Sequence, residues 1–340
     1  MPDRETLAAA LARIADPTGG GDVVATGRAA GLVAKADGSA GLVLSLDGLD
    51  VRTAERLHAA VDRAVRAAGA SAVTIATTAE RGAAPALRPA VVPGVRTILA
   101  VASGKGGVGK STVAVNLAVA LARQGFAVGL LDADIYGPSV PTLLGLRGRG
   151  QVADKRLVPA EAFGIRALSM GMMTDPGKAV IWRGPMASAA MTQMVEQGDW
   201  GLLDILVVDL PPGTGDIQLT LAQKLKPTGA VIVSTPQDLA LVDARRAIAM
   251  FAEVDVPVVG VIENMANFVC PSCGDDIDIF GHGGARGAAA TAGVAFLGDI
   301  PLDLGLRLAS DRGTPPAAGE GRSATMFRGI ADQVATALAL

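Results

Sequence analysis

The sequence predicts an α/β protein: a mostly parallel sheet flanked by helices on both faces, preceded by a small α+β domain. Three observations carry this. Apolar runs at 98–102, 127–131, 165–169, 205–208, 230–234, 257–262 and 295–297 alternate with stretches of helical periodicity. The runs are near-continuous Val, Ile, Leu and Ala, as in strands buried on both faces. A glycine-rich loop follows the first run and further polar motifs follow others, where ligands of such sheets bind. The chain has 340 residues, enough for one large domain and a small one. Half of them are hydrophobic but only 3% are aromatic, so Ala, Val, Leu and Ile must build the core.

The small domain is expected over 1–80. Residues 5–14 have helical spacing, with Leu7, Leu11 and Ile14 on one face, and Asp16, Pro17 and a glycine run end them. Apolar runs at 23–26 and 31–34 read as strands. The Asp37-Gly38 turn then leads into 41–46, which predicts a hairpin. A second helix is expected over 51–67 and a strand over 72–76. Residues 81–95, rich in Ala and Pro, read as a linker, and 96–340 as the large domain. The last stretch, 323–340, is amphipathic. Its one cation, Arg328, is set against Asp332, so a packed helix is expected rather than a membrane-gripping tail.

Composition narrows the function. A net charge of -3 argues against nucleic acid as a partner. No run of about 18 apolar residues suggests a membrane span, and the charged start of the chain does not resemble a secretory signal. Two cysteines in 340 residues are no disulfide framework and point to a reducing cytoplasm.

The glycine-rich loop runs from Ser103 to Thr112 and matches G-x-x-x-x-G-K-[ST] without a gap. Gly104, Gly106, Gly107 and Gly109 let the backbone turn its N–H groups onto one anion, and the next helix adds its positive end. Lys110 is expected at the β- and γ-phosphates, Ser111 on Mg²⁺, and Thr112 near the α-phosphate. Asp132 and Asp134, one residue apart after the second run, can flank a metal and a water. Asp209 ends a run of four apolar residues in the Walker B pattern, as a direct or water-mediated Mg²⁺ ligand. Gly213 could offer its N–H to a γ-phosphate, and Asp216 is expected to cap the following helix.

Lys105 is not needed by an ordinary loop of this kind. Gly104-Lys105-Gly106-Gly107-Val108-Gly109-Lys110-Ser111-Thr112 resembles the deviant Walker A loop of the P-loop NTPases that include MinD, ParA and the nitrogenase iron protein. The resemblance implies ATP held between two copies, with Lys105 reaching the partner's nucleotide. It also implies that Asp134 positions the attacking water, that Asp132 lies near the Mg²⁺ shell, and that Asn264 meets adenine. Asn264 as a plain turn residue is the other reading.

Cys270 and Cys273 are the only cysteines. Two thiolates cannot complete a four-thiolate site, but two copies can. A [4Fe–4S] cluster, a bridging zinc, a redox pair and inert thiols are all readings of the pair, since the ligand set does not choose the metal. The run from Ile262 to Gly274 closely resembles the Mrp family of iron–sulfur cluster carriers. So do Trp182-Arg183-Gly184-Pro185-Met186 and Leu297-Gly298-Asp299-Ile300-Pro301-Leu302. That resemblance implies a cytoplasmic homodimer that binds and slowly hydrolyses ATP. It implies a cluster at the dimer interface, taken from a donor and passed to apo-proteins. The first 80 residues resemble the small domain often fused ahead of such carriers, but hold no cysteine and so read as a docking or regulatory module. His282 reads as a surface residue. Met170, Met172, Met173, Met186, Met191 and Met194 read as core and dimer packing. A positioning role, as in the MinD/ParA ATPases, and a zinc-bridged dimeric regulatory ATPase remain as alternatives.

Overall fold

The computed structural model describes residues 3–35, 38–46, 49, 51–78, 92–135, 137–148, 150–173, 184–270 and 272–340. The chain divides into two compact units, Met1–Ala84 and Pro85–Leu340.

In the first unit, α1 (Arg4–Leu11) starts at Asp3, whose carboxylate accepts the Thr6 N–H at 2.8 Å. Strands β1 (Ala29–Ala34) and β2 (Ala40–Ser45) pair antiparallel. After α2 (Val51–Ala67), β3 (Val73–Thr78) joins β2 in parallel. Leu7 and Leu11 from α1 meet Leu57, Val61 and Val65 from α2 over Leu42 and Leu44. Of the expected Asp37-Gly38 turn, Asp37 lies outside the described residues, and Gly38 sits at φ +83°.

The strand expected over 23–26 is a turn. The Asp22 carboxylate accepts the N–H groups of Val24 and Ala25, both at 2.9 Å, and this local bonding outcompetes a ladder. Val23 is apolar because it plugs the core, not because it is extended. Asp16 accepts from Arg28 Nε at 2.9 Å and from Thr18, which holds its carboxyl well below the usual carboxylate range.

The second unit opens with β4 (Val95–Ala102), α3 (Lys110–Arg123), β5 (Val128–Asp132) and α4 (Val140–Leu143). Short β6 (Gln151–Ala153), β7 (Arg156–Val158) and β8 (Ala160–Ala162) lead to β9 (Ile165–Ser169). Then come α5 (Gly184–Gln197), β10 (Leu203–Asp209), α6 (Asp216–Leu225), β11 (Gly229–Ser234) and α7 (Asp238–Glu253). The chain ends with β12 (Val258–Val269), β13 (Asp276–Ile277), α8 (Gly284–Thr291), β14 (Phe296–Leu302), α9 (Leu304–Asp311) and α10 (Arg322–Leu338). Most of the linker expected over 81–95 lies outside the described residues. Its last part belongs to this unit, because Val92 is buried and Val95 begins β4.

The large sheet runs β13-β12-β11-β4-β10-β5-β9-β8, with β14 on β12. Only the β13 and β8 pairings are antiparallel. The parallel α/β sheet foreseen from the apolar runs is therefore present. Alternate residues of one strand feed two cores. Ile98, Ala100 and Ala102 pack toward α5, α6, α7 and α8, while Leu99 and Val101 pack toward α3 and α10. Both faces are covered, so both residue sets must be apolar. Phe327, Ile330, Ala331, Val334 and Leu338 of α10 are buried, which makes it a packed terminal helix. Met170, Met172, Met191 and Met194 are core residues, Met173 is exposed, and the side chain of Met186 lies outside the description, as do Trp182 and Arg183. Among the described residues no helix is long and apolar enough to cross a membrane.

Two strands run further than their apolar runs. β10 gains Asp209, and β12 continues through Glu263 and Asn264 to Val269. β14 and β13 pair with that extension and supply the backbone partners that a turn would have taken from water.

Candidate functional site

β4 lies between β10 and β11, and the loop from Ser103 to Gly109 leaves its carboxyl end. Gly107 and Gly109 take φ of +83° and +80°, which lets the backbone curl before α3 begins at Lys110. A Cβ on Gly104 would collide with the Asp243 backbone, so the loop lies directly on α7. The loop, Lys110, Ser111, Thr112, Asp134 and Pro212 line a cavity of about 220 Å³. A larger cleft, about 390 Å³, opens at the amino ends of β5, β9 and β10 near Phe163 and Leu202, away from every motif.

Lys110 is buried and its Nζ lies 2.5 Å from Asp209 Oδ1, 3.3 Å from Ser111 Oγ and 4.0 Å from Asp134 Oδ2. Asp209 and Asp132 are register partners on β10 and β5, so two wholly buried carboxylates lie side by side. Asp132 Oδ2 accepts from Ser169 Oγ at 2.8 Å and from the Val140 N–H at 3.2 Å, and Oδ1 from the Asp134 N–H at 3.2 Å. Burial, and then the charge of Asp209, push Asp132 up to about 7. Burial also raises Asp209, and the Lys110 ammonium opposes this.

The other oxygen of Asp209, Oδ2, is buried without a hydrogen-bond partner among the described residues. An orphaned carboxylate oxygen beside a phosphate loop and a serine hydroxyl suits a hard divalent cation. No group of three His, Cys, Asp or Glu among the described residues is arranged to hold a metal ion. A cation here would therefore take further ligands from phosphate oxygens, as Mg²⁺ ordinarily does.

Gly213 donates its N–H to Ser103 O at 2.8 Å, which ties the Pro-Pro-Gly segment to the loop. The expected cap at Asp216 is one residue off. Gly215 is the N-cap, and Gln218 Oε1 accepts its N–H while the Gln218 amide donates to Pro212 O. Lys105 is exposed.

Asn264 is buried, and its Nδ2 donates to the Val108 carbonyl at 2.8 Å. Its neighbour Glu263 is fully buried and accepts the N–H groups of Gly283 at 2.9 Å and Ala285 at 2.6 Å, capping α8. From Asn264 the chain runs six residues to Cys270, one past the end of β12, a reach of roughly 20 Å at most.

The cysteines occupy a tight turn. Cys270 N–H donates to Asp275 O at 2.9 Å, and Gly274 N–H to Cys270 O at 2.8 Å. The N–H groups of Cys273 and Ser272 face the Cys270 sulfur and hold its thiol below the ordinary value. Cys273 is exposed, with Sγ 3.2 Å from Asp275 Oδ2. Pro271 lies outside the described residues. His282 is exposed, 3.9 Å from Asp278.

The structure thus brings Lys110, Ser111, Asp132, Asp134 and Asp209 together, with Asn264 behind the loop, and sets Cys270 and Cys273 apart from them. Sequence reasoning missed Ser169 and Glu263. Ser169 is visible only through strand register, opposite Asp132.

Residues 94–335 match the family model described as ParA: NUBPL iron-transfer P-loop NTPase. An Arabidopsis thaliana protein, "Iron-sulfur protein required for NADH dehydrogenase, mitochondrial", is 50% identical over 74% of this chain and 80% of its own length. An Aquifex aeolicus "Iron-sulfur cluster carrier protein" is 55% identical over 66% of this chain and 62% of its own. Among solved structures, a nucleotide-binding protein from Archaeoglobus fulgidus in complex with ADP is 43% identical. The match covers 64% of this chain and 87% of that one, with a TM-score of 0.58. The Pyrococcus furiosus cell division ATPase MinD, 20% identical with a TM-score of 0.53, shares the fold.

Proposed function

The chain belongs to the NUBPL iron-transfer P-loop NTPases of the ParA class, and from that membership we propose that it is an ATP-hydrolysing carrier of iron–sulfur clusters. In this reading it works as a cytoplasmic homodimer that receives a [4Fe–4S] cluster from a donor and passes it to apo-proteins. The observation that carries the reading is the cysteine turn. One chain offers two thiols, one of them stabilised as thiolate by two backbone N–H groups, at the exposed end of a strand that passes the phosphate loop. Two such turns supply the four thiolates a [4Fe–4S] cluster takes.

ATP lies in the loop, with the N–H groups of 104–112 and Lys110 on its phosphates. When bound, Mg²⁺ held by Ser111 and Asp209 supplies positive charge beside the β- and γ-phosphates. Nucleotide draws Lys110 from Asp209 toward the phosphates. Asp134, 4.0 Å from that ammonium, orients the water that attacks the γ-phosphorus. Asp132 stays behind them as a hydrogen-bonded support. Lys105, exposed on the loop, reaches the nucleotide of the partner. Asn264 meets adenine with the part of its amide that Val108 does not use.

Cys270→Ser tests the reading. After anaerobic reconstitution the variant should lose bound iron, sulfide and the brown chromophore, and keep nucleotide affinity. Iron and sulfide retained in the variant contradict the assignment, and zinc without sulfide in the parent protein replaces it with a zinc-bridged dimer.

A further inference from the structure

Glu263 and Asn264 are successive residues of one strand, so their side chains leave β12 on opposite sides. Asn264 holds the phosphate loop through the Val108 carbonyl, and the fit is close. A Cβ on Gly109 would strike that amide nitrogen. Glu263 holds the other side. Gly283 and Ala285, which donate to it, stand where the chain returns from the cysteine hairpin into α8. The bonds from 263 to 283 and 285 therefore close the neck of the excursion that carries Cys270 and Cys273. Two backbone N–H groups bonded to one wholly buried side chain make this neck a fixed pivot.

Beyond the pivot the hairpin is held by a short ladder, by the two backbone bonds of the cysteine turn and by the pairing of Phe268 with Leu302 of β14. Its ladder has two residue pairs, Phe268 with Ile277 and Val269 with Asp276, and Asn267 reaches Asp276 at 2.7 Å. Ile277 and Ile279 are about half exposed. Between pivot and hairpin, Met265 takes φ +58°, and the register against β14 shifts between Asn264 and Phe268. β12 thus has a bend between the residue that touches the loop and the residues that lead into Cys270.

We propose that Asn264 and Glu263 act as positioning residues that couple the phosphate loop to the cysteine hairpin within a single chain. A shift of the Val108 carbonyl when phosphate occupies the loop is passed through Asn264 to β12. Glu263 fixes the neck, so the movement is taken up at the Met265 bend and at the cysteine turn. Nucleotide can bias the hairpin only as far as it binds the two arrangements unequally. The inference rests on the cysteines being the cluster ligands, but its test needs no cluster.

The test uses the full chain, reduced and metal-free, and follows alkylation of its two thiols by iodoacetamide with and without saturating ATP and Mg²⁺. In the parent protein nucleotide should change the alkylation rate by about fivefold or more, the lower end of ordinary coupling between two sites. Glu263→Gln turns one acceptor oxygen into an N–H₂ that faces a backbone N–H. It should keep nucleotide affinity and lose the response. Thiols indifferent to nucleotide in the parent protein, or a full response in Glu263→Gln, overturn the coupling. If that variant does not fold, hydrogen exchange in the parent protein decides. Nucleotide-dependent protection at Gly283, Ala285 and 266–270 supports the link, and change confined to the loop and to 209–216 overturns it. Reconstitution run in parallel separates the two ideas. A cluster with no thiol response removes the coupling alone, whereas a response with no cluster removes the carrier reading alone.

Discussion

Asp132→Asn is the most informative single change in the nucleotide site. Burial, and then the charge of Asp209, push Asp132 up to about 7 in the folded chain, against 3.8 for the free side chain. The folded state therefore holds a proton that the unfolded state releases, and the stability this contributes is complete below pH 3.8 and lost as pH rises through about 7. The difference between the two corresponds to about 4 kcal/mol, of which about 3 kcal/mol disappears between pH 5 and pH 8. Asparagine cannot ionise, so the variant lacks this loss. It carries instead a constant cost of about 1 kcal/mol, because its amide nitrogen faces the Asp134 N–H in place of an acceptor. Urea denaturation in metal-free buffer, followed by tryptophan fluorescence, reads this directly. Both tryptophans, Trp182 and Trp200, belong to the second unit. The stability difference should move in favour of Asp132→Asn by about 3 kcal/mol from pH 5 to pH 8. Parallel curves for the two proteins would refute the claim that burial beside Asp209 raises the Asp132 carboxyl.

Two further changes probe the same site. Lys110→Ala leaves Asp209 buried without its cation, so it should destabilise the second unit by about 3–5 kcal/mol and abolish ATP binding, as read by denaturation and equilibrium nucleotide titration. Gly109→Ala meets both a φ of +80° and the Asn264 amide. It should cost about 2–5 kcal/mol from backbone strain and the freed Val108 carbonyl, and thermal melts that match the parent protein would show that the loop yields there.

The nucleotide loop was legible because its chemistry is contiguous. Seven residues, Ser103 to Gly109, join β4 to α3 and place Lys110 and Ser111 at the start of the helix by chain connectivity alone, and Asp209 is marked by the apolar run it ends. What depends on pairing between distant strands was not legible. Ser169 meets Asp132 only because β9 lies beside β5 in that register. Glu263 and Asn264 look like the polar end of an apolar run, yet they are interior residues of a strand, because β14 and β13 extend the sheet past them. The turn at 23–26 was hidden for the opposite reason: its residues are apolar, and one polar neighbour, Asp22, bends them. The cysteine pair could be seen in the sequence, but the N–H groups that favour the Cys270 thiolate exist only in the folded turn.

The central claim is that each chain carries half of a cluster site. Anaerobic reconstitution, with iron, sulfide and sedimentation measured on one sample, tests it most directly. The account predicts about four irons and four sulfides on each dimer and none on monomer. A full complement on a monomeric chain would contradict it.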